Sequence, residues 1–178
     1  MKTKLEIRYG ILFALIVIVY VMLEHFLGLN TSNHQMGQYT RFGGVLVPIL
    51  GIFFGLNAKC KELGSLSTKQ GIRSGFIIAL IQTSLTTLWF LIYPNFINPE
   101  FYSTMLEFER EKMIAQGLSQ TEVTEKLETL KTMFSVPVQP IFQMIVGVIY
   151  GVFFAWVFSL FFRLTLNKVS ESRLEQLN

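Results

Sequence analysis

The chain contains no aspartate and a single cysteine, Cys60, among its 178 residues. One thiol excludes an internal disulfide and any multi-cysteine metal site. Without aspartate there is no paired-aspartate site for metal-dependent phosphoryl or glycosyl transfer. The sequence also has no glycine-rich phosphate loop and no nucleophile–base motif. We therefore expect a non-enzymatic protein that uses no metal or other cofactor.

Charge is scarce as well, since charged residues make up 15% of the chain against about 25% in an average soluble domain. Hydrophobic residues reach 51% and aromatic residues 14%. A bilayer core about 30 Å thick is crossed by about 20 helical residues. Residues 1–178 are accordingly predicted to form one all-α, polytopic integral membrane domain. Its four transmembrane helices are predicted at about 7–29, 42–57, 73–93 and 140–162.

The positions of Lys and Arg predict the orientation of these helices. The chain starts with a basic segment and an apolar run, but no small-residue cleavage site follows, so the first helix is expected to stay uncleaved. We place the protein in a bacterial inner membrane with both termini in the cytoplasm. The loop that holds Cys60 is predicted on the same side. The basic residues predicted on that side are Lys2, Lys4, Arg8, Lys59, Lys61, Lys69, Arg73, Arg163, Lys168 and Arg173.

A weak internal repeat suggests how the helices are related. Residues 8–16 resemble residues 73–81, and residues 51–55 resemble residues 147–151. The chain is therefore interpreted as two parallel-related helical hairpins, the second of which carries an insertion. Internal duplication and shared membrane patterning without common origin both explain the matches.

The insertion, residues 98–135, is predicted to be a periplasmic amphipathic hairpin with helices at about 99–116 and 120–134. Asn98 and Pro99 are typical of a helix start, and Ser119 with Glu122 forms a capping box. Its apolar residues could pack on each other, lie on the membrane, dock a partner protein or act as a lid. The candidate partner surface comprises Phe101, Met105, Phe108, Val123, Leu127 and Leu130.

Small residues recur four apart in three of the predicted spans, where they let helix backbones approach closely. They could pack the bundle internally, or pair it with a second copy or a partner helix. The candidate packing residues are Gly51, Gly55, Gly75, Ala79, Gly147, Gly151 and Ala155.

Glu24 is the one carboxylate within reach of the predicted membrane core. Because the first helix ends and the second begins on the same side, an interfacial ion pair between Glu24 and Arg41 is our leading interpretation. Exposure to interfacial water and proton coupling are the alternatives. The third span is the most polar, with Gln82, Thr83, Ser84, Thr86 and Thr87, and could line a shallow groove or bond across helices.

Three segments resemble a known family. YPNFINPEF at 93–101, EREKMIAQGLS at 109–119 and MFSVP at 133–137 are similar to a Bacteroidota membrane-protein family catalogued as domain of unknown function four-one-nine-nine. The resemblance covers nearly the whole chain, including the four spans and the insertion. It implies no catalytic residues that could be assigned here.

We expect an inner-membrane accessory or scaffold subunit that binds a partner, either another membrane protein or a second copy of itself. The alternative is a small transporter or a flippase for lipids or polyprenyl-linked sugars, working with a glycosyltransferase. Membrane lipids are expected ligands. Nucleic acid is not, because the basic residues are explained by lipid phosphates and topology.

Overall fold

The computed structural model describes residues 3–136 and 138–175, with side chains as far as Thr165. Within that part of the chain the regular structure is entirely helical, which confirms the predicted all-α class. The helices are α1 (Lys4–Phe26), α2 (His34–Leu63), α3 (Thr68–Ile92), α4 (Phe101–Ala115), α5 (Gln120–Met133) and α6 (Val138–Glu175). One π-helical turn, Tyr93–Ile97, continues α3 directly.

Four segments are long and apolar enough to cross a membrane, and each contains an 18-residue window with a mean hydropathy of 1.6 to 2.3. The second is much longer than its predicted span of 42–57, because α2 runs through Pro48 from His34 to Leu63. Thirty residues make a helix about 45 Å long, which exceeds a bilayer core of about 30 Å. Cys60, predicted in a loop, is therefore a buried residue of α2.

Polar residues and glycines set the ends of these helices. Asn33 accepts a hydrogen bond from the amide of Met36 at the start of α2, and Gly64 ends that helix in the left-handed conformation at φ 72°. Ser67 and Gln70 form a capping box at the start of α3, although the sequence analysis did not identify it. The predicted box of Ser119 with Glu122 begins α5.

Helices α1 and α3 lie side by side and run parallel. Glu6 of α1 contacts Ser74 of α3, and two contacts continue the same register past the end of α3: His25 with Tyr93 of the π-helical turn, and the backbone of the loop residue Asn30 with Asn98. Each of these pairs is separated by 68 residues. A constant separation along two helices requires a parallel, in-register arrangement. A parallel arrangement of α1 and α3 does not test common origin, so internal duplication of the two hairpins stays a prediction.

Helices α3 and α6 run antiparallel and approach closely through a ladder of small residues. A Cβ atom added to Gly75 would lie 2.1 Å from the Cβ of Ala155, and one on Gly151 would lie 2.1 Å from the Cβ of Ala79. These distances are far below van der Waals contact, so only glycine fits at these positions. The same ladder includes Gly71 against Ser159 and Gly147 against Thr83.

Helices α4 and α5 form a hairpin that packs on one end of the bundle, which we call the hairpin end; the opposite end is the far end. Of the candidate partner surface, Phe101, Met105 and Val123 are buried. The other three, Phe108, Leu127 and Leu130, are half-buried. The apolar residues of this candidate surface thus pack on each other and on the bundle, which is one of the arrangements considered from the sequence. Docking of a partner on this surface stays a prediction.

The start of α4 also differs from prediction. Helix α4 begins at Phe101, after Glu100, rather than at Pro99. Asn98 does not cap it with its side chain. Instead the buried Asn98 amide donates to the backbone oxygen of Asn30 at 2.9 Å and to the Tyr93 hydroxyl at 3.1 Å. Asn98 therefore joins the hairpin to the loop after α1.

Candidate functional site

A groove of about 780 Å³ lies between the helices in the half of the bundle near the hairpin. Helices α1, α2, α3 and α6 form its walls, and Met133 and Phe134 from α5 close its hairpin end. Its volume is within the range of about 300–1,000 Å³ that small-molecule sites occupy.

Helices α2 and α6 pack together on the far-end side of the groove. There the ring of Phe53 lies 5.3 Å from the rings of Phe158 and Phe162, centroid to centroid. Nearer the hairpin, residues between 41 and 52 of α2 and between 139 and 154 of α6 line the groove. Lining residues on both helices are more than half exposed, so the groove opens sideways between them. These rim residues are Val45, Phe142 and Tyr150.

Most of the lining is apolar, and the polar groups sit at two levels. The apolar walls include Val17, Val21, Ile49, Ile52, Phe90, Val146 and Phe154. Glu24, Arg41 and Gln139 line the groove together, and Gln82, Thr83, Thr86 and Gln143 form a second polar set. An apolar cleft with a few polar groups is the usual composition of a ligand site.

Gln82 on α3 is the most unusual of these polar groups. Its side chain is 2% exposed, and neither its amide nitrogen nor its amide oxygen has a hydrogen-bond partner. A buried amide without partners typically costs about 1–3 kcal/mol, so such groups usually have one. The neighbouring Thr86 does not bond to the Gln82 amide, because its hydroxyl donates to the backbone oxygens of Gln82 and Thr83.

Gly51 makes room for Gln82. A Cβ atom at Gly51 would lie 2.1 Å from Gln82 Nε2. Gly55 plays a comparable part against Ile78, whose Cδ1 would lie 2.5 Å from an added Cβ. The structure therefore places all seven candidate packing residues inside the bundle, and Gly51 additionally positions a polar side chain beside the groove.

The predicted ion pair between Glu24 and Arg41 is not formed among the described residues. Glu24 is 5% exposed and accepts from Thr40 Oγ1 at 2.5 Å and from Asn30 Nδ2 at 3.3 Å. Arg41 Nη2 lies 3.4 Å from His34 Nδ1 instead. The prediction was wrong because Thr40 and the loop residue Asn30 provide neutral donors to Glu24. Glu24 and Arg41 nevertheless line the same groove.

Further hydrogen bonds hold the hairpin end together. His25 Nδ1 lies 3.1 Å from the Tyr93 hydroxyl, and His34 Nε2 lies 2.9 Å from Thr104 Oγ1. Tyr102 donates to Gln139, and burial of the ring raises the pKa of this tyrosine above its usual value. The two histidines thus bond to hydroxyl groups. Among the side chains described, those of residues 3–136 and 138–165, no three from His, Cys or Glu are arranged to hold a metal ion.

The far end contains a buried polar cluster that the sequence analysis missed. Glu6 Oε1 accepts from Ser74 Oγ at 2.7 Å and lies 3.3 Å from Lys59 Nζ. Both charged side chains are almost fully buried. Glu6 is an acidic residue between the basic Lys4 and Arg8, and that reversal of charge was the available signal.

The match to family models identifies the chain. A model described as "Protein of unknown function (DUF4199)" matches residues 8–164, so the chain belongs to the DUF4199 family that its sequence resembles. No curated protein and no solved structure matches the chain.

Proposed function

We propose that this member of the DUF4199 family is a multi-pass membrane protein that binds the hydrocarbon part of a lipid in the groove between α2 and α6. It acts as a small lipid transporter or flippase. The observation that carries the proposal is the combination of an apolar groove of about 780 Å³ with a buried, unbonded Gln82 amide in its lining.

The position of the opening favours a lipid over a water-soluble ligand. Val45, Phe142 and Tyr150 are exposed at the rim, on two helices that are each long and apolar enough to cross a membrane. A groove that opens sideways from such helices faces acyl chains. Hydrocarbon entering it gains contacts with the walls, while the polar lining groups remain available to a headgroup.

The accessory-subunit function expected from the sequence stays a prediction with less support. Its candidate surface on the hairpin is buried or half-buried and so offers no ready docking site. The groove instead supports the alternative, lipid handling. We further propose a bacterial inner-membrane location with both termini in the cytoplasm and the hairpin on the other side, which the distribution of Lys and Arg supports.

A substitution that fills the groove tests the proposal. Val146 lines the groove, whereas Ile145, its neighbour on α6, is exposed and does not. Protein purified in mild detergent is extracted, and phospholipid is quantified per mole of chain by mass spectrometry. We expect Val146→Trp to lose most of the bound lipid and Ile145→Trp to retain it. Equal lipid in both variants would contradict the proposal.

Reconstitution then separates transport from simple binding. Wild-type protein in vesicles should accelerate the movement of a fluorescent phospholipid between leaflets, as followed by quenching with dithionite. Val146→Trp should abolish the acceleration and Ile145→Trp should not. Lipid that binds in the groove but never moves between leaflets would support a lipid-dependent accessory subunit instead.

A further inference from the structure

Two opposite charges line the hairpin end of the groove without neutralising each other. Glu24 extends from α1 and Arg41 from α2. Neither belongs to an ion pair within 4.0 Å among the described residues. Both sit where the lining changes from apolar side chains to polar ones, as at the boundary between the tails and the headgroup of a lipid.

Each charge has capacity left for a ligand. A carboxylate offers about four acceptor sites, and Glu24 uses one on each oxygen, for Thr40 and Asn30. A guanidinium has five N–H donors, and among the described residues Arg41 makes one hydrogen bond, the long one to His34. Charges held in a site of low dielectric are stabilised by partners of opposite sign. An anion suits the partly exposed Arg41, and a cation suits the buried Glu24.

We infer that the groove selects a zwitterionic phospholipid whose headgroup carries a phosphate and an ammonium, as phosphoethanolamine does. This inference rests on the lipid-binding function proposed above. Arg41 binds the phosphate, which suits the planar fork of the guanidinium. Glu24 accepts from the ammonium. The acyl chains lie along the apolar walls formed by residues such as Val45 and Val146.

The charges also argue against the other common headgroups. A purely anionic lipid such as phosphatidylglycerol satisfies Arg41 but brings a hydroxyl group, not a cation, to Glu24. A second phosphate would be repelled by the buried carboxylate. Selection thus depends on Glu24, whereas phospholipid binding in general depends on Arg41.

Competition between two lipids with identical chains tests this assignment. Delipidated wild-type protein is equilibrated with equimolar phosphatidylethanolamine and phosphatidylglycerol, and the bound lipids are measured by native mass spectrometry. We expect phosphatidylethanolamine to be enriched about fivefold. Glu24→Gln, which keeps the shape and acceptor oxygen of the side chain, should remove the enrichment. Glu111→Gln, an exposed hairpin change of equal charge, should preserve it.

Two further variants keep failure of the inference distinct from failure of the proposed function. Arg41→Gln should reduce the binding of both lipids, and Val146→Trp should do the same by filling the groove. A wild-type protein that binds the lipids in equal amounts, or an unchanged preference in folded Glu24→Gln, would overturn the headgroup assignment. If Val146→Trp still loses lipid in that case, the groove proposal stands. Unfolding temperatures establish that each variant is folded.

Discussion

Ala79 on α3 and Gly151 on α6 lie so close that a Cβ atom on Gly151 would be 2.1 Å from the Cβ of Ala79. Gly151→Ala should therefore push the helices apart and lower the free energy of unfolding by about 1–3 kcal/mol. Thermal or denaturant unfolding in detergent measures the loss. Moving the methyl group across the interface, in the double variant Ala79→Gly with Gly151→Ala, should recover most of it.

Gly44→Ala provides the control for this prediction. The nearest atoms to a Cβ at Gly44 belong to Tyr20 and lie 3.9 Å away, which is ordinary contact. Its stability should stay within about 0.5 kcal/mol of the parent. A Gly151→Ala variant as stable as Gly44→Ala would show that α3 and α6 are not held in this close packing.

The second prediction concerns the buried ion pair at the far end. Lys59→Met should lower the free energy of unfolding by about 3–5 kcal/mol, because it leaves the carboxylate of Glu6 buried beside Ser74 without its cation. Adding Glu6→Gln should recover part of this loss, since a neutral amide needs no counter-charge. Urea unfolding of the two single variants and the double variant gives the coupling. Losses that simply add would contradict a paired role for Glu6 and Lys59.

The third prediction follows from the hydrogen bonds of Glu24. Thr40→Val should lower stability by about 1–3 kcal/mol, because the buried carboxylate loses its shortest donor. Glu24→Gln and Arg41→Gln should instead act almost additively in lipid-free protein, since no direct ion pair joins them. A double-mutant cycle measures the coupling, which should stay below about 0.5 kcal/mol. A larger coupling energy would support a direct ion pair between Glu24 and Arg41, as predicted from the sequence.

The fourth prediction concerns orientation and avoids the natural cysteine. Cys60 is buried, so its labelling reports unfolding as well as sidedness. In a Cys60→Ala background, Ser65→Cys and Glu125→Cys place exposed thiols at the far end and on the hairpin. An impermeant maleimide added to spheroplasts should label position 125 and spare position 65. The reverse pattern would invert the proposed topology.

The fifth prediction concerns pH. Glu122 accepts hydrogen bonds from the hydroxyl and amide of Ser119, and these bonds lower the pKa of its carboxyl group. A lowered pKa in the folded state means that the cap is present above the ordinary glutamate pKa. It is lost as the pH falls through the folded value. The Ser119 amide resonance in micelles should titrate with a midpoint below that of an unperturbed glutamate. In Glu122→Gln it should not titrate.

Apolar length and turn chemistry predicted the number and order of the helices because those signals are local, although α2 and α6 are much longer than their predicted spans. The capping box of Ser119 with Glu122 depends on a few neighbouring residues, and it appears in the structure. The small-residue pattern likewise indicated that Gly75 and Gly151 lie at close-packed positions. It did not indicate the partner helix, which depends on the register between segments distant in the chain.

The groove and the buried hairpin stripe were harder to predict for a physical reason. An apolar side chain such as Met105 packs equally well against lipid, a helix or a partner protein, so hydrophobicity alone does not say which one it meets. The groove depends on how α1, α2, α3 and α6 pack around it, and no local pattern in the sequence encodes that packing. Thr40 and Asn30 were likewise missed as partners of Glu24 because a hydroxyl and an amide carry no charge signal.

The parallel register of α1 and α3 has a consequence for how the chain is made. Glu6 obtains the hydroxyl of Ser74 only after 68 further residues have been synthesised. At about 5–20 residues per second, that interval lasts roughly 3–14 s. When Ser74 is added, α1 and α2 have both been synthesised, but α3, which packs beside α1, has only begun. The side of α1 that packs on α3 is therefore without its final partner for at least that interval.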